Sequence, residues 1–464
     1  MTSLLDRVFY SIYPLGYCGA KRTNDFCSPA GDGLRFIQSQ IPYLVDLGIN
    51  ALYIGPLFES TSHGYDTLDY WYVDRRLGNN EDLKALVEAL HHAGIIVILD
   101  GVFNHTGRHF FAFTDIQQHG SRSAYTDWYK TIDFSQQSPQ GDSFRYEGWH
   151  GCFDLVALNQ YNREVRDHLL QALRHWILDF GIDGLRLDAA ELLLPDFMDE
   201  IASCCKGLKE NFWLLGEVVA GDYRAWAHEG RLDGVTNYEL YKSLWSSLND
   251  RNFFELSWTL EREWGEKQGL YKTMDLFNFA DNHDVARAAS ILKKPSHLFP
   301  LYGLLYTLPG IPSLYYGSEF GIPGEKTWEN DYALRPSWKE LHSRPRTASQ
   351  NALAQEIKRF IAIRKQQPPL QWGSYRQLYL ASEQFAFIRE LPGHTALPAL
   401  PESETPSGAV VIAVNSAEAE QTITLDGFSG ETWRDLLSGE VFQSTPTRLS
   451  LPLQPSWLRI LRSE

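Results

Sequence analysis

The sequence predicts an α/β protein: a (β/α)₈ barrel of the TIM type with a small insertion after its third strand, followed by an antiparallel β-sandwich domain. Short apolar strands alternate with helical patterns through most of the chain, and this alternation is interrupted once. The final part of the chain contains only short strand-like segments and turn residues. A length of 464 residues suits a barrel with one smaller module.

The first three predicted strands establish the alternation. They are apolar segments, and the third is the nearly continuous apolar run that a parallel sheet buries on both faces. We expect strands at residues 8–14, 50–54 and 95–103, and helices at residues 34–47 and 81–93 that end near Gly48 and Gly94.

The segment 104–160 interrupts the pattern. It is rich in Gly, Ser, Asp and aromatic residues and has no clean periodicity. Because it is too long for an ordinary loop in a compact domain, we interpret it as a functional insertion or small subdomain.

Five further strands complete the barrel and a β domain follows it. After a helix at 165–180, strands are expected at 182–188, 211–218, 234–240, 274–280 and 313–316, which makes the eight that a closed barrel requires. Short strands at 385–388, 409–414, 422–425 and 457–461 indicate the β domain, with a proline-rich surface loop at 392–408. The predicted limits are 1–103 and 161–371 for the barrel, 104–160 for the insertion and 372–464 for the β domain.

Composition excludes several classes of partner. A net charge of −16 argues against nucleic acid, whose phosphates need a basic surface. The longest apolar runs are too short to span a membrane. The N-terminal residues lack the pattern of an export signal, and the five cysteines show neither zinc spacing nor a disulfide framework. We therefore expect a cytoplasmic protein with reduced cysteines.

Asp188 is the first candidate for a catalytic group. It follows the predicted strand 182–187, and the C-terminal ends of barrel strands are where active sites form. Arg186 lies on the same side of that strand, and its charge favours the ionised form of Asp188. For Asp188 alone, capping of the next helix is the favoured interpretation.

Three other strand ends carry polar residues in the same way. The third ends in Asp100-Gly-Val-Phe-Asn104-His105, the fifth in Gly216-Glu217, and the seventh in Phe279-Ala-Asp281-Asn282-His283-Asp284. Each has a structural alternative as a turn, a solvated charge or a helix cap. Together, at one end of one barrel, they predict the convergent carboxylates that glycosidic bond cleavage needs.

These four segments resemble, in order, the sequence blocks of the α-amylase family of glycoside hydrolases (family 13). The resemblance covers nearly the whole chain and implies a retaining hydrolase of α-1,4 bonds in maltooligosaccharides, maltodextrins or cyclodextrins. It implies that Asp188 is the nucleophile, Glu217 the general acid, and Asp284 the carboxylate that stabilises the transition state. Arg186, His105 and His283 match residues that hydrogen-bond the sugar at the point of cleavage.

Two more segments fit the resemblance. Tyr65, in His63-Gly-Tyr-Asp-Thr-Leu-Asp-Tyr70, matches a tyrosine that stacks under the cleaved sugar, although a solvated Asp-rich turn explains the segment equally. Asp331 and Arg335 match the pair that holds the next sugar, and their spacing also suits an ordinary helical ion pair.

Within the family, the loop 63–70 and the segment 146–151 are most similar to the cyclomaltodextrinase, neopullulanase and maltogenic amylase group. The sequence differs from that group in starting directly at the barrel, which leaves the oligomeric state open. Family members often bind calcium beside the insertion, where Asn104 is a candidate ligand. Spacing gives no full set of oxygen ligands, so no cofactor or metal is expected to be required.

Two alternatives to the hydrolase remain. A 4-α-glucanotransferase would use the same site and differ only in excluding water from the intermediate. A catalytically inactive binding or scaffold homologue would be expected to lose carboxylates, whereas this chain keeps all three.

Overall fold

The computed structural model describes residues 3–327, 330–391, 408–428 and 430–464. Its central element is a closed barrel of eight parallel strands in which consecutive strands are neighbours and the eighth pairs with the first. The strands are Phe9–Ile12, Ala51–Ile54, Ile96–Gly101, Gly184–Leu187, Trp213–Gly216, Gly234–Thr236, Asp275–Phe279 and Ile311–Tyr315. The predicted barrel is confirmed.

Helices and shorter helical turns surround the barrel and connect its strands. The α-helices are Pro14–Tyr17, Gly33–Ser39, Ile41–Leu47, Asn80–His92, Phe111–His119, Arg163–His175, Pro195–Leu208, Tyr238–Asn249, Phe254–Trp264, Ala288–Ile291, Leu298–Thr307, Trp338–Ser343, Ala348–Gln366 and Pro368–Trp372. The 3₁₀ turns are Gly120–Arg122, Thr126–Trp128, Ala190–Leu192, Tyr223–Ala225, Pro295–His297, Ser318–Phe320 and Tyr332–Leu334, and Trp176–Phe180 is a π-helical turn.

Several predicted elements have different limits in the structure, and two of these differences have a clear physical cause. The helix expected at 34–47 is two helices that meet at Gln40, because Pro42 in the first turn of the second helix has no N–H to donate to the preceding turn. The strand expected at 234–240 ends at Thr236, because the Asn237 side chain accepts a hydrogen bond from Leu240 N and starts a helix.

The barrel interior is filled with side chains below its C-terminal end. Phe9 packs against Trp213 and Phe277 with ring centroids 5.6 and 5.1 Å apart. Ile98 and Ile311 belong to the same buried cluster. This apolar layer separates the polar side chains at the C-terminal ends of the strands from those at the opposite end, such as Asp275.

The insertion contains a small sheet of its own. Strands His105–Gly107, Cys152–Ala157 and Gly148–Trp149 pair antiparallel, and the first of these begins directly after the third barrel strand. Phe113 on the helix Phe111–His119 packs against Tyr129 and Tyr146 at 5.3 and 4.9 Å.

The C-terminal part is an antiparallel β domain, as predicted. A six-stranded sheet has the order Ser374–Leu380, Gln384–Glu390, Ala409–Asn415, Trp457–Ser463, Thr432–Asp435, Val441–Gln443, and Gln421–Asp426 pairs with Arg448–Leu453 in a second sheet. Ile388 and Val411 share a buried cluster with Leu425 and Leu451 of the second sheet. The predicted loop 392–408 lies outside the described residues, apart from Gly408.

The domain limits given above stay predictions, and the helix Pro368–Trp372 crosses the one at 371/372. All five cysteines are free thiols. In the described part of the chain, every helix is too short or too polar to cross a membrane.

Candidate active site

Arg186 forms the centre of a buried charge cluster at the C-terminal end of the barrel. Its Nη1 donates to Asp100 Oδ1 and to Asp188 Oδ1, both at 2.8 Å. Its Nη2 lies 2.7 Å from Glu217 Oε1. One guanidinium therefore contacts carboxylates from the ends of the third, fourth and fifth strands.

The backbone fixes Asp188 and Glu217 relative to each other. Asp188 N donates to Gly101 O at 3.0 Å, and Glu217 N donates to Leu187 O at 2.9 Å. Ala189 has a left-handed conformation, with φ 44°, that directs its N–H to Glu217 Oε2 at 3.1 Å. These bonds place two carboxyl groups side by side on neighbouring strands.

Asp284 approaches the cluster from the seventh strand. Its Oδ2 lies 2.9 Å from His283 Nε2, and its Oδ1 accepts a hydrogen bond from Arg335 Nη2 at 3.1 Å. Arg335 also pairs with Asp331 at 2.6 Å and lies over the ring of Tyr13 at 4.4 Å. The structure thus brings Arg335 into the site, whereas Asp331 reaches it through Arg335.

Tyr65 joins the two halves of the cluster. Its hydroxyl donates to Asp100 Oδ2 at 3.1 Å and makes a short hydrogen bond with His283 Nε2. The Tyr65 and His283 rings are stacked with centroids 5.6 Å apart. Tyr65 therefore links Asp100, which binds Arg186, to His283, which contacts Asp284.

His105 lies in the first strand of the insertion and is only 1% exposed. Its Nε2 has no hydrogen-bond partner within the described residues. Burial lowers the pKa of His105 to about 3, and repulsion from His63 acts in the same direction. At neutral pH the ring is uncharged and has a ring nitrogen available to a ligand hydroxyl.

The electrostatics of the two aspartates differ. Burial raises the pKa of Asp188, and the Glu217 and Asp100 carboxylates reinforce this against the opposing charge of Arg186. This direction is opposite to the effect expected from Arg186 alone. For Asp284, burial also acts to raise the pKa, but His283 and Arg335 outweigh it and hold the pKa well below its usual range.

Four residues of this region were not identified from the sequence as site residues. Asp100 accepts hydrogen bonds from Arg186, Tyr65 and, at 2.9 Å, Tyr53. Tyr238 OH donates to Glu217 Oε1 at 3.3 Å. Tyr13 stacks on His283 with centroids 6.1 Å apart. Asp100 stood in the motif at the third strand end, but the tyrosines carry no sequence signal of this kind.

A cavity of about 30 Å³ lies among these side chains. Its lining includes Arg186, Glu217, Tyr238 and Asn282 at the upper end and Ser11 and Ser313 from the barrel wall. A volume of this size holds about two water molecules.

Asn104 is the residue that the sequence offers as a calcium ligand. Its buried Oδ1 has no hydrogen-bond partner within the described residues. However, that part of the chain contains no group of three or more His, Cys, Asp or Glu side chains arranged to hold a metal ion. One amide oxygen is far from the six to eight oxygens that calcium takes. The expectation that no metal is required stays a prediction.

A closed parallel barrel that presents several carboxylates and histidines at one end has the arrangement that a glycoside hydrolase uses. Residues 11–373 match the family model of the alpha amylase catalytic domain, and the chain belongs to the α-amylase family of glycoside hydrolases.

Similar proteins include a cyclomaltodextrinase of Thermoanaerobacter pseudethanolicus, 30% identical, in a match that covers 90% of this chain and 73% of the relative. The intracellular maltogenic amylase of Bacillus subtilis is 29% identical over 79% of this chain and 60% of its own length. The solved structure of a debranching enzyme from Nostoc punctiforme has a TM-score of 0.80 and 28% identity, over 99% of this chain and 98% of that one. These relatives support α-glucan hydrolase activity.

Proposed function

We propose that this protein cleaves α-1,4 bonds of maltooligosaccharides, maltodextrins or cyclodextrins with retention of anomeric configuration. The observation that carries the proposal is that Arg186 contacts Asp188 and Glu217 together while Ala189 N–H holds Glu217 beside Asp188. A retaining mechanism uses two carboxyl groups about 5–5.5 Å apart, one ionised and one protonated.

Asp188 attacks the anomeric carbon in the first step while Glu217 gives its proton to the glycosidic oxygen. The bond to the leaving sugar breaks and a covalent glycosyl ester of Asp188 forms. Asp188 attacks in its ionised form, which the charge of Arg186 favours against burial and the neighbouring carboxylates. Asp284 stays ionised beside His283 and stabilises the positive charge of the transition state.

Water attacks the ester in the second step, and Glu217 now accepts a proton from it. Asp188 leaves as a carboxylate, and the two inversions give net retention. The cavity beside Glu217 has room for about two waters. In this proposal the neutral His105 ring, whose Nε2 has no partner in the described residues, and Arg335, which contacts Asp284, bind hydroxyl groups of the sugar.

A product time course on maltoheptaose, β-cyclodextrin and pullulan tests this proposal. We expect short maltooligosaccharides, with the α-anomer formed first by NMR, and activity of Asp188→Asn reduced at least about 10⁴-fold. Asp250→Asn is the matched control, because Asp250 is 64% exposed in a surface ion pair.

Other outcomes would contradict the proposal. A β-anomer as first product would exclude retention. Products longer than the substrate would identify the transferase alternative, and no turnover of any glucan would favour the inactive binding or scaffold homologue.

We also propose that the protein acts in the cytoplasm on oligosaccharides. The similarity to an intracellular maltogenic amylase supports this location. Fractionation of intact cells should recover the protein with cytoplasmic markers, and recovery from the medium of unlysed cells would refute the proposal.

A further inference from the structure

A second cavity lies outside the active site, behind the loop that carries Tyr65. Its volume is about 300 Å³, at the lower end of the range for small-molecule sites. It shares no lining residue with the active-site cavity. We call it the Tyr72 cavity and define it by Glu59, Leu68, Asp69, Tyr72, Arg75 and Asn79.

Backbone hydrogen bonds fix the walls of the Tyr72 cavity. Glu59 N donates to Tyr72 O at 2.9 Å, and Leu68 N donates to Glu59 O at 2.7 Å. Asn79 forms one wall as the N-cap of the helix Asn80–His92, with a complete capping box. Since the cavity is preformed, a ligand does not have to order these segments when it binds.

The polar groups of the Tyr72 cavity are not all used within the fold. The Glu59 carboxylate is occupied by Arg75 Nε at 2.6 Å, Arg75 N at 2.8 Å and Asn24 Nδ2 at 3.1 Å. Both terminal nitrogens of Arg75 lack hydrogen-bond acceptors in the described part of the chain. Asp69 accepts from Trp71 N at 2.7 Å and also interacts with the Tyr72 N–H, which still leaves part of its acceptor capacity free.

The side chain of Tyr72 adds an apolar face to these groups. It is 63% exposed. An aromatic ring with one free face beside hydrogen-bonding groups can stack on the flat apolar side of a sugar.

The mixture of charges selects the kind of ligand. An anion in this cavity would meet Asp69, and a cation would meet Arg75. Hydroxyl groups, in contrast, accept from Arg75 and donate to Asp69 at the same time. A metal ion is further disfavoured because the described residues contain no group of three or more His, Cys, Asp or Glu side chains arranged to hold one.

We propose that the Tyr72 cavity is a second glucan-binding site, which holds a glucose unit of an α-glucan by stacking on Tyr72 and hydrogen bonds to Asp69 and Arg75. The inference rests on the proposed function, which supplies the glucan. Leu68 and Asp69 follow Tyr65 in the same loop, and Tyr65 contacts Asp100 in the catalytic cluster. A sugar bound in the Tyr72 cavity therefore restricts the movement of this loop. It also keeps the polymer near the active site and raises its effective concentration there.

Titration calorimetry with maltoheptaose tests the inference in the inactive Asp188→Asn protein. We expect two binding sites per chain. Adding Tyr72→Ala should leave one site, and adding Asp69→Asn, which keeps an oxygen for Trp71 N–H, should weaken the second site at least about five-fold. Adding Trp258→Ala should leave both sites, because this control side chain is equally exposed, at 64%, on another surface.

The outcomes separate this inference from the proposed function. One site in all four proteins would overturn the second glucan site and leave the hydrolase proposal intact. Absence of maltoheptaose binding in every protein would overturn both. Equal loss with Tyr72→Ala and Trp258→Ala would also count against the Tyr72 cavity, because it would indicate a general effect of removing surface aromatics.

Discussion

Ala189 adopts a backbone conformation that residues with a side chain rarely have. Its φ of 44° and ψ of 45° are left-handed, which costs alanine about 1–2 kcal/mol. This conformation turns the chain sharply after Asp188 and directs the Ala189 N–H to Glu217 Oε2. The strain is located between the two residues with the main proposed chemical roles, where it positions one against the other.

Substitution of Ala189 tests this positioning. A β-branched side chain tolerates φ near 44° poorly, so we expect Ala189→Val to lower kcat at least about 10-fold by displacing the amide. Ala189→Gly should keep most of the activity, because glycine adopts this conformation without a steric penalty. The measurement is steady-state hydrolysis of maltoheptaose, and equal activity of the Val and Gly variants would contradict the role of the backbone conformation.

Asp100 accepts hydrogen bonds from several residues of the cluster. It binds Arg186, Tyr53 and Tyr65, and it contributes to the raised pKa of Asp188. With Asp100→Asn the pKa of Asp188 should fall, since one neighbouring negative charge is removed. The acidic limb of the kcat/KM profile should then move to lower pH, while kcat drops about 10-fold or more as Arg186 loses its anchor.

A pH profile of kcat/KM for wild type and Asp100→Asn measures this effect. A purely structural role for Asp100 would lower activity at every pH without moving the acidic limb. The control is Asp250→Asn, whose profile should match that of the wild type.

At the scale of elements, the helix Phe254–Trp264 contains a buried carboxyl group without a cation. Glu263 has no exposed surface, its Oε2 accepts from Asn237 Nδ2 at 3.0 Å, and its Oε1 has no partner in the described residues. Burial raises the pKa of Glu263 to about 8. The folded protein therefore holds a proton there at neutral pH, which the unfolded chain releases.

This buried glutamate predicts the sign of a pH effect on stability. The folded state binds the proton more tightly, so the contribution is complete at acidic pH and is lost as pH rises from about 4.5 towards 8. Over this interval the loss is on the order of 4 kcal/mol. Glu263→Gln should remove it, so the stability of the variant relative to wild type should increase between pH 5 and pH 8.

Urea unfolding at pH 5 and pH 8 measures this difference. The same pH dependence in both proteins would show that Glu263 is not the titrating group. Glu255→Gln on the same helix serves as control, because the Glu255 side chain is 37% exposed beside Lys242.

At the scale of the whole molecule, Arg389 connects the barrel to the β domain. Its side chain is buried and donates to Thr307 O at 2.8 Å, Leu370 O at 3.1 Å and Gly373 O at 2.8 Å. Arg364, also buried, donates to Gly310 O at 2.6 Å. The two arginines therefore satisfy carbonyl groups at helix and strand ends that would otherwise be buried without a donor.

Replacement of Arg389 should lower the stability of the contact between the barrel and the β domain. Arg389→Met keeps the length of the side chain but removes its donors, and we expect it to cost about 3 kcal/mol or more, because several buried carbonyls lose their partners. Arg376→Met is the matched control, since Arg376 lies on the paired neighbouring strand with a side chain 42% exposed. Urea unfolding measures both, and equal stability of the two variants would contradict this prediction.

The fold class was predictable from short-range sequence patterns, and so was the grouping of the candidate site residues at one end of the barrel. The spacing of apolar residues predicted the barrel, the insertion and the β domain, because residues that face the core recur at regular intervals along a strand or helix. The positions of Asp188, Glu217 and Asp284 at strand ends then followed, because parallel strands bring their C-terminal ends to the same side.

Only the tertiary structure decided which carboxylates contact the same guanidinium, that of Arg186, and which tyrosines contact the site residues. Tyr53, Tyr238 and Tyr13 come from different strands and helices, and an isolated tyrosine in the sequence does not reveal the partner of its hydroxyl. The direction of the Asp188 pKa shift likewise depends on burial and on carboxylates at the ends of three other strands. These are through-space interactions, and the distances that govern them are set only when the barrel closes.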